Sequence, residues 1–95
     1  MTGQIQVRKY ASDRNEITGQ QAGDALKGAV FEITNAHSGA VVGYIMSDEH
    51  GVAASAPLPL GRYYVTEVTA PAYYQLSGER MIAEIEYPGQ VIKLS

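Results

Sequence analysis

The chain contains no cysteine and no tryptophan. Without cysteine there is no disulfide staple, no thiol nucleophile, and no thiolate zinc or iron–sulfur site. No apolar run approaches the roughly 18 residues of a membrane span, and no basic-then-apolar stretch opens these residues. No membrane span is therefore expected within them. Basic residues are scarce too: 7 Lys and Arg stand against 10 Asp and Glu, for a net charge of −3. That balance gives no electrostatic reason to expect nucleic acid or an anionic membrane as a partner. A length of 95 residues allows one domain and excludes a doubly wound nucleotide fold or an (α/β) barrel. What is present is a globular composition, 45% hydrophobic and 18% charged. So short a chain buries only about 60–65% of its unfolded surface. The question is what holds it together.

Alternation of apolar and polar residues predicts strands at 4–10, 29–34, 40–46, 52–55, 62–69, 80–87 and 90–94. Turn-forming stretches such as Asn35-Ala-His-Ser-Gly39, Ser47-Asp-Glu-His-Gly51 and Pro88-Gly89 separate them. Residues 11–27 are polar, carry Gly19 and Gly23, and predict a loop with one short helical turn, anchored by Leu26. Seven short strands point to a single all-β domain over residues 1–95, an antiparallel Greek-key β-sandwich of the immunoglobulin or prealbumin kind. No internal repeat or domain boundary is visible. The last strand pattern runs to Ser95 with no tail, so the chain is expected to be excised from a longer protein.

Strand parity places two ionisable groups on apolar faces. Ile5 and Val7 share a face and Lys9 is next on it, while Arg8 points the other way. Tyr63 and Val65 share a face and Glu67 is next. Each has an ordinary reading: a strand-end lysine lays its stem on apolar surface with the ammonium in water, and a strand-end glutamate is solvated or weakly paired. The chemical reading is a buried Lys–Glu pair. Desolvation of such a pair favours a neutral amine, which is a nucleophile, and a neutral acid, which polarises a carbonyl and shuttles protons.

Leu-Lys-Gly-Ala-Val-Phe-Glu-Ile (26–33), Leu-Pro-Leu-Gly-Arg-Tyr-Tyr-Val-Thr-Glu-Val-Thr-Ala-Pro (58–71) and the lysine of Ile-Gln-Val-Arg-Lys (5–9) resemble the CnaB-type (SpaA-like, prealbumin-like) domain of Gram-positive surface adhesins and pilins. SpyCatcher-type ligation proteins derive from the same fold. The resemblance runs in order over essentially the whole chain. It departs after Pro71, where Ala-Tyr-Tyr (72–74) stands in place of the usual Asp/Glu-Gly-Tyr, so a different turn is expected there.

The resemblance implies that Lys9 is the nucleophile of a spontaneous isopeptide bond to a last-strand Asn or Asp, with Glu67 as acid/base catalyst. Ile92 and Leu94 share a face, so the next inward position falls just after Ser95, where the family places that Asn or Asp. The electrophile is thus expected to be absent from these residues. Of the two asparagines present, Asn15 and Asn35, both read as turn residues. Without that electrophile the domain is expected to fold uncross-linked, with Lys9 and Glu67 close together. The function expected is a stalk module of a cell-wall-attached, extracellular surface protein, with neighbouring domains of that protein as partners and no turnover activity. Two alternatives stay open: half of an intermolecular ligation pair, accepting a peptide that supplies the Asn or Asp, or an adhesin module binding host matrix or glycan.

The remaining candidates are weaker. Seven of the eight aromatics are tyrosine, with pairs at 63–64 and 73–74, which raises an aromatic platform; on strands such rings more often pack with the hydroxyl at the rim. His37 and His50 lie in turns without a carboxylate at metal-ligand spacing. Ser47-Asp48-Glu49-His50 has the letters of a catalytic triad, but neighbours in one turn rarely attain its geometry. Leu58-Pro-Leu-Gly61 lacks the threonine of a sortase motif. No cofactor or metal is expected.

Overall fold

The computed structural model describes residues 1–95, and it contains strands and no helix. In chain order the strands are β1 (Thr2–Arg8), β2 (Val30–Asn35), β3 (Val41–Met46), β4 (Val52–Ala54), β5 (Leu58–Pro59), β6 (Gly61–Thr69), β7 (Arg80–Ile85) and β8 (Val91–Leu94). They form two packed sheets. One has the order β3-β2-β6-β7; in the other, β1 is flanked by β4 and β5 along one edge and by β8 along the other. The all-β sandwich read from alternation is the fold observed.

Two details differ from expectation. The β1–β8 pair is parallel, with Ile5 opposite Ile92 and Val7 opposite Leu94, so the first and last strands run the same way. An eighth strand, β5, pairs with the start of β1 despite Pro57 and Pro59. It is only two residues long and lies at the sheet edge, where a proline's missing N–H costs no ladder bond. Ser55 bridges the gap between β4 and β5: its N–H donates to the Ile5 carbonyl at 2.8 Å and its hydroxyl accepts the Ile5 N–H at 2.9 Å. Residues 11–27 do carry the one short helical turn expected: the Gly19 N–H donates to the Asn15 carbonyl at 2.8 Å, four residues back. Asn15 caps it, its Oδ1 accepting the N–H groups of Ile17 and Thr18.

The core lies between the sheets. Ile5 and Val7 from β1, Phe31 and Ile33 from β2, Ile45 from β3, Ala53 from β4, Tyr63 and Val65 from β6, and Ala83 and Ile85 from β7 are all buried there. Met81, Ile92 and Leu94 pack against it at the rim. Each of the buried valines, isoleucines and the phenylalanine contributes on the order of 1.5–3 kcal/mol. Leu26 is buried as well, and it ties the long 11–27 loop to the body of the domain. Both inward rows point towards one end of the sandwich, and that end holds the candidate site.

Candidate functional site

Lys9 sits one residue past the end of β1, yet its backbone is held from two sides. Its N–H donates to the Gly51 carbonyl at 2.7 Å, and its carbonyl accepts the Leu26 N–H at 3.0 Å. The bridge between Tyr10 and Ala25 extends this hold by one residue. Gly51 permits the contact through its backbone: φ is 77°, and a Cβ there would overlap the Lys9 carbonyl oxygen. So the lysine leaves a turn-clamped backbone with its side chain following Ile5 and Val7 inward.

Glu67 arrives from the other sheet, opposite Phe31 in the β2–β6 register. Its side chain is 1% exposed, against 23% for that of Lys9. The Lys9 Nζ lies 3.2 Å from Glu67 Oε2. Oε1 accepts the backbone N–H of Ser77 at 2.7 Å, from the loop that follows β6. Oε2 has no hydrogen-bond partner, because the nearby Lys9 amine is close enough to form an ion pair but is poorly aligned to donate. A buried carboxylate oxygen with unused accepting capacity is costly and uncommon.

The pair borders a cavity of about 160 Å³, walled by Val7, Phe31, Met81, Lys9, Glu67 and Ser95 among others. The parallel register explains why β8 reaches it. Val7 pairs with Leu94, so extending the register two positions sets the position after Ser95 across from Lys9. Directly opposed residues of a parallel pair share a face, so a side chain there would point at the Lys9–Glu67 pair.

The other candidates fall elsewhere. Asn35 caps its own turn, its Oδ1 accepting the N–H groups of His37 and Ser38 at 2.8 and 3.0 Å. Asn15 caps the turn at 17–18 and donates to the Tyr73 carbonyl at 2.9 Å. Ser47 is buried with its hydroxyl committed to the Leu26 carbonyl and the Ala29 N–H, so the Ser47–His50 letters form no triad. His50 is exposed beside Glu49 at 3.5 Å, and His37 is exposed in the β2–β3 turn. Parity separates the first tyrosine pair. Tyr63 is buried, its hydroxyl donating to the Pro59 carbonyl at 2.6 Å and held above its usual pKa by burial. Tyr64 faces outward beneath the Arg80 guanidinium, 3.9 Å from the ring centre.

The turn after Pro71 is well defined. The Tyr74 N–H donates to the Pro71 carbonyl at 3.1 Å, and Tyr73, in the third position, has φ 68°. This is a type II turn, which favours glycine at that position. Tyr73 adopts the left-handed backbone instead, at a cost of about 1–2 kcal/mol. Ser77 and Gly51 carried no signal in the sequence, since each acts through its backbone and from a distant loop.

The comparisons agree with this architecture. The family model for the SpaA prealbumin-like fold domain matches residues 3–95. Among solved structures, the chain is similar to the Bacillus anthracis TIE protein, at 32% identity and TM-score 0.80 over 98% of this chain and 16% of that one. It is similar to BcpA, the major pilin subunit of Bacillus cereus, at 27% identity and TM-score 0.73, covering 99% of this chain and 29% of the pilin. The T6 backbone pilin of serotype M6 Streptococcus pyogenes gives 25% identity and TM-score 0.69, covering 87% of this chain and 16% of that one. The chain thus spans less than a third of each of these proteins. No curated protein matches its sequence. With a two-sheet sandwich whose first and last strands run parallel, and a family match over nearly every residue, the chain belongs to the SpaA prealbumin-like fold domain family.

Proposed function

We propose that this domain is a stalk module of a Gram-positive cell-surface pilin or adhesin, locked by an isopeptide bond from Lys9 to an Asn or Asp side chain. The observation that carries this reading is Glu67 Oε2, buried without a hydrogen bond 3.2 Å from Lys9 Nζ, in a pair that lines the 160 Å³ cavity. Moving one proton from Nζ to Oε2 leaves a neutral amine beside a neutral acid. The amine then attacks the side-chain carbonyl carbon of an Asn or Asp seated in the cavity. Glu67 donates its hydrogen bond to the carbonyl oxygen as negative charge develops there.

The C–N bond forms as the C–NH2 bond of Asn, or the C–OH bond of Asp, breaks. Glu67 passes the proton first taken from Nζ to the leaving group, which departs as one ammonia or one water. It then takes the second proton that Nζ sheds in becoming an amide N–H, and releases it to solvent. The reaction happens once and consumes its own lysine, so the domain is not a turnover enzyme. By analogy with a disulfide closing a loop of nearly the whole chain, the bond would add about 4–5 kcal/mol of stability. It would replace the cysteine staple that this composition excludes. A stalk module of this kind would work outside the cell, attached to the wall and joined to neighbouring domains.

The β1–β8 register favours the position after Ser95 as the source of the carbonyl. The same cavity would accept it from a separate peptide, making the domain one half of a ligation pair. Intact-mass measurement tests both. The chain extended by one Asn after Ser95 is expected to weigh one ammonia less than its formula. The unextended chain mixed with a peptide that repeats Ile92–Ser95 and ends in Asn or Asp should give an adduct if ligation is possible. Lys9→Ala and Glu67→Gln should abolish either product. Failure of the extended chain to lose ammonia would sink the cross-link reading, and bond formation at an unchanged rate in Glu67→Gln would remove Glu67 from the chemistry.

A further inference from the structure

A second cavity lies between two loops; Lys9 forms part of its wall, but its other lining residues take no part in the chemistry above. Asn15, at the hub of the first loop, donates to the Tyr73 carbonyl, and the Tyr74 hydroxyl donates to Gln20 Oε1 at 2.7 Å. These bonds button the 11–27 loop to the turn after Pro71. Between them opens a crevice of about 290 Å³, lined by Tyr10, Ser12, Asp13, Arg14, Tyr73 and Gln75 among others.

Two features of this crevice are not explained by packing or ion pairing. Tyr73 holds a left-handed backbone that glycine would adopt without strain, and its side chain is mostly exposed, the residue being 69% open to solvent. Strain kept where it serves no packing is typical of ligand contacts. Asp13 and Arg14 are both exposed, and neither takes part in any of the chain's three ion pairs. The fold therefore presents an aromatic face, a carboxylate, a guanidinium and an amide to one small volume.

We propose that this crevice binds a neutral saccharide, with Tyr73 as its stacking platform. A pyranose ring offers an apolar C–H face to an aromatic ring and pairs of hydroxyls to planar polar groups. A carboxylate and a guanidinium on neighbouring residues serve such hydroxyl pairs without demanding a net charge on the ligand. The volume is at the small end for ligand pockets, about 300 Å³ and upward, which suits one or two sugar rings. The proposal stands apart from the isopeptide chemistry and survives its failure.

The test is an amide-resolved NMR titration of the chain with glucose, galactose, mannose, N-acetylglucosamine and lactose at millimolar concentrations. At least one sugar is expected to shift amides clustered at residues 10–15 and 73–75. Tyr73→Gly removes the platform and relieves the turn in one step. It should weaken binding at least tenfold while raising Tm by about 4–8 °C for a chain of this size. Absence of clustered shifts with every sugar in the panel would overturn the proposal, as would undiminished binding by Tyr73→Gly. A fall in Tm for that variant would overturn the strain argument beneath it.

Discussion

Removing the charge of Lys9 should cost more than removing that of Glu67, and removing both should cost less than the sum. In Lys9→Met the Glu67 carboxylate stays buried with the Ser77 N–H as its one partner, while Oε2 loses the amine at 3.2 Å. Breaking a fully buried pair from one side costs about 3–5 kcal/mol. Here the lysine side chain is 23% exposed, so water can approach the orphaned oxygen; about 2.5 kcal/mol is the appropriate scale. In Glu67→Gln the amide keeps an acceptor for Ser77 and the ammonium turns outward to water, for about 1 kcal/mol. The double variant buries no charge and should lie about 1.5 kcal/mol below the parent, which leaves a coupling energy of about 2 kcal/mol. For a chain of this size Lys9→Met then lowers Tm by about 10–20 °C. Urea unfolding of all four proteins at one pH, after intact mass has shown them free of a cross-link, measures the cycle. A Lys9→Met protein within about 0.5 kcal/mol of the parent, or a coupling energy below about 0.5 kcal/mol, would refute the buried-pair reasoning.

Gly51→Ala should destabilise by about 2 kcal/mol or more, because its φ of 77° is strained for alanine and its Cβ would overlap the Lys9 carbonyl oxygen. The Lys9 amide should lose hydrogen-exchange protection as its bond to the Gly51 carbonyl lengthens; unchanged protection would show that Gly51 does not hold the lysine. Asp48 should make the domain acid-sensitive. The Val52 N–H, with that of His50, holds its carboxyl below the ordinary value of 3.8. A depressed folded-state pKa gives stability that is present above 3.8 and lost as pH falls through the lower folded value. Asp48→Asn should therefore flatten the stability–pH curve below that point, and an unchanged slope in acid urea titrations would contradict it.

Several elements were legible because period-two alternation is a local signal. Ile5, Val7 and Lys9, and likewise Tyr63, Val65 and Glu67, declare their shared faces without knowledge of the partner strand, and both rows turn inward as expected. The turns at Asn35 and Asp48 were equally legible, since Asn and Asp accept backbone N–H groups two or three residues ahead. The exposed tyrosine turn was only half legible. Its sequence marked a turn after Pro71, but only the structure shows that Tyr73 takes the left-handed third position of a type II turn.

What the sequence determined by itself is therefore the alphabet of the fold: an all-β sandwich, its inward rows, its turns, and the exclusion of cysteine-based cross-links. Tertiary structure alone decided the pairings. The parallel alignment of β8 on β1, which directs the last strand at Lys9, depends on residues more than eighty positions apart, and no local period encodes it. The same holds for the grip of Gly51 and Leu26 on the Lys9 backbone, and of Ser77 on Glu67, because backbone hydrogen bonds between distant loops leave no side-chain signature. Parity told which way Lys9 and Glu67 point; only the packing of two sheets brought the amine within 3.2 Å of the carboxylate.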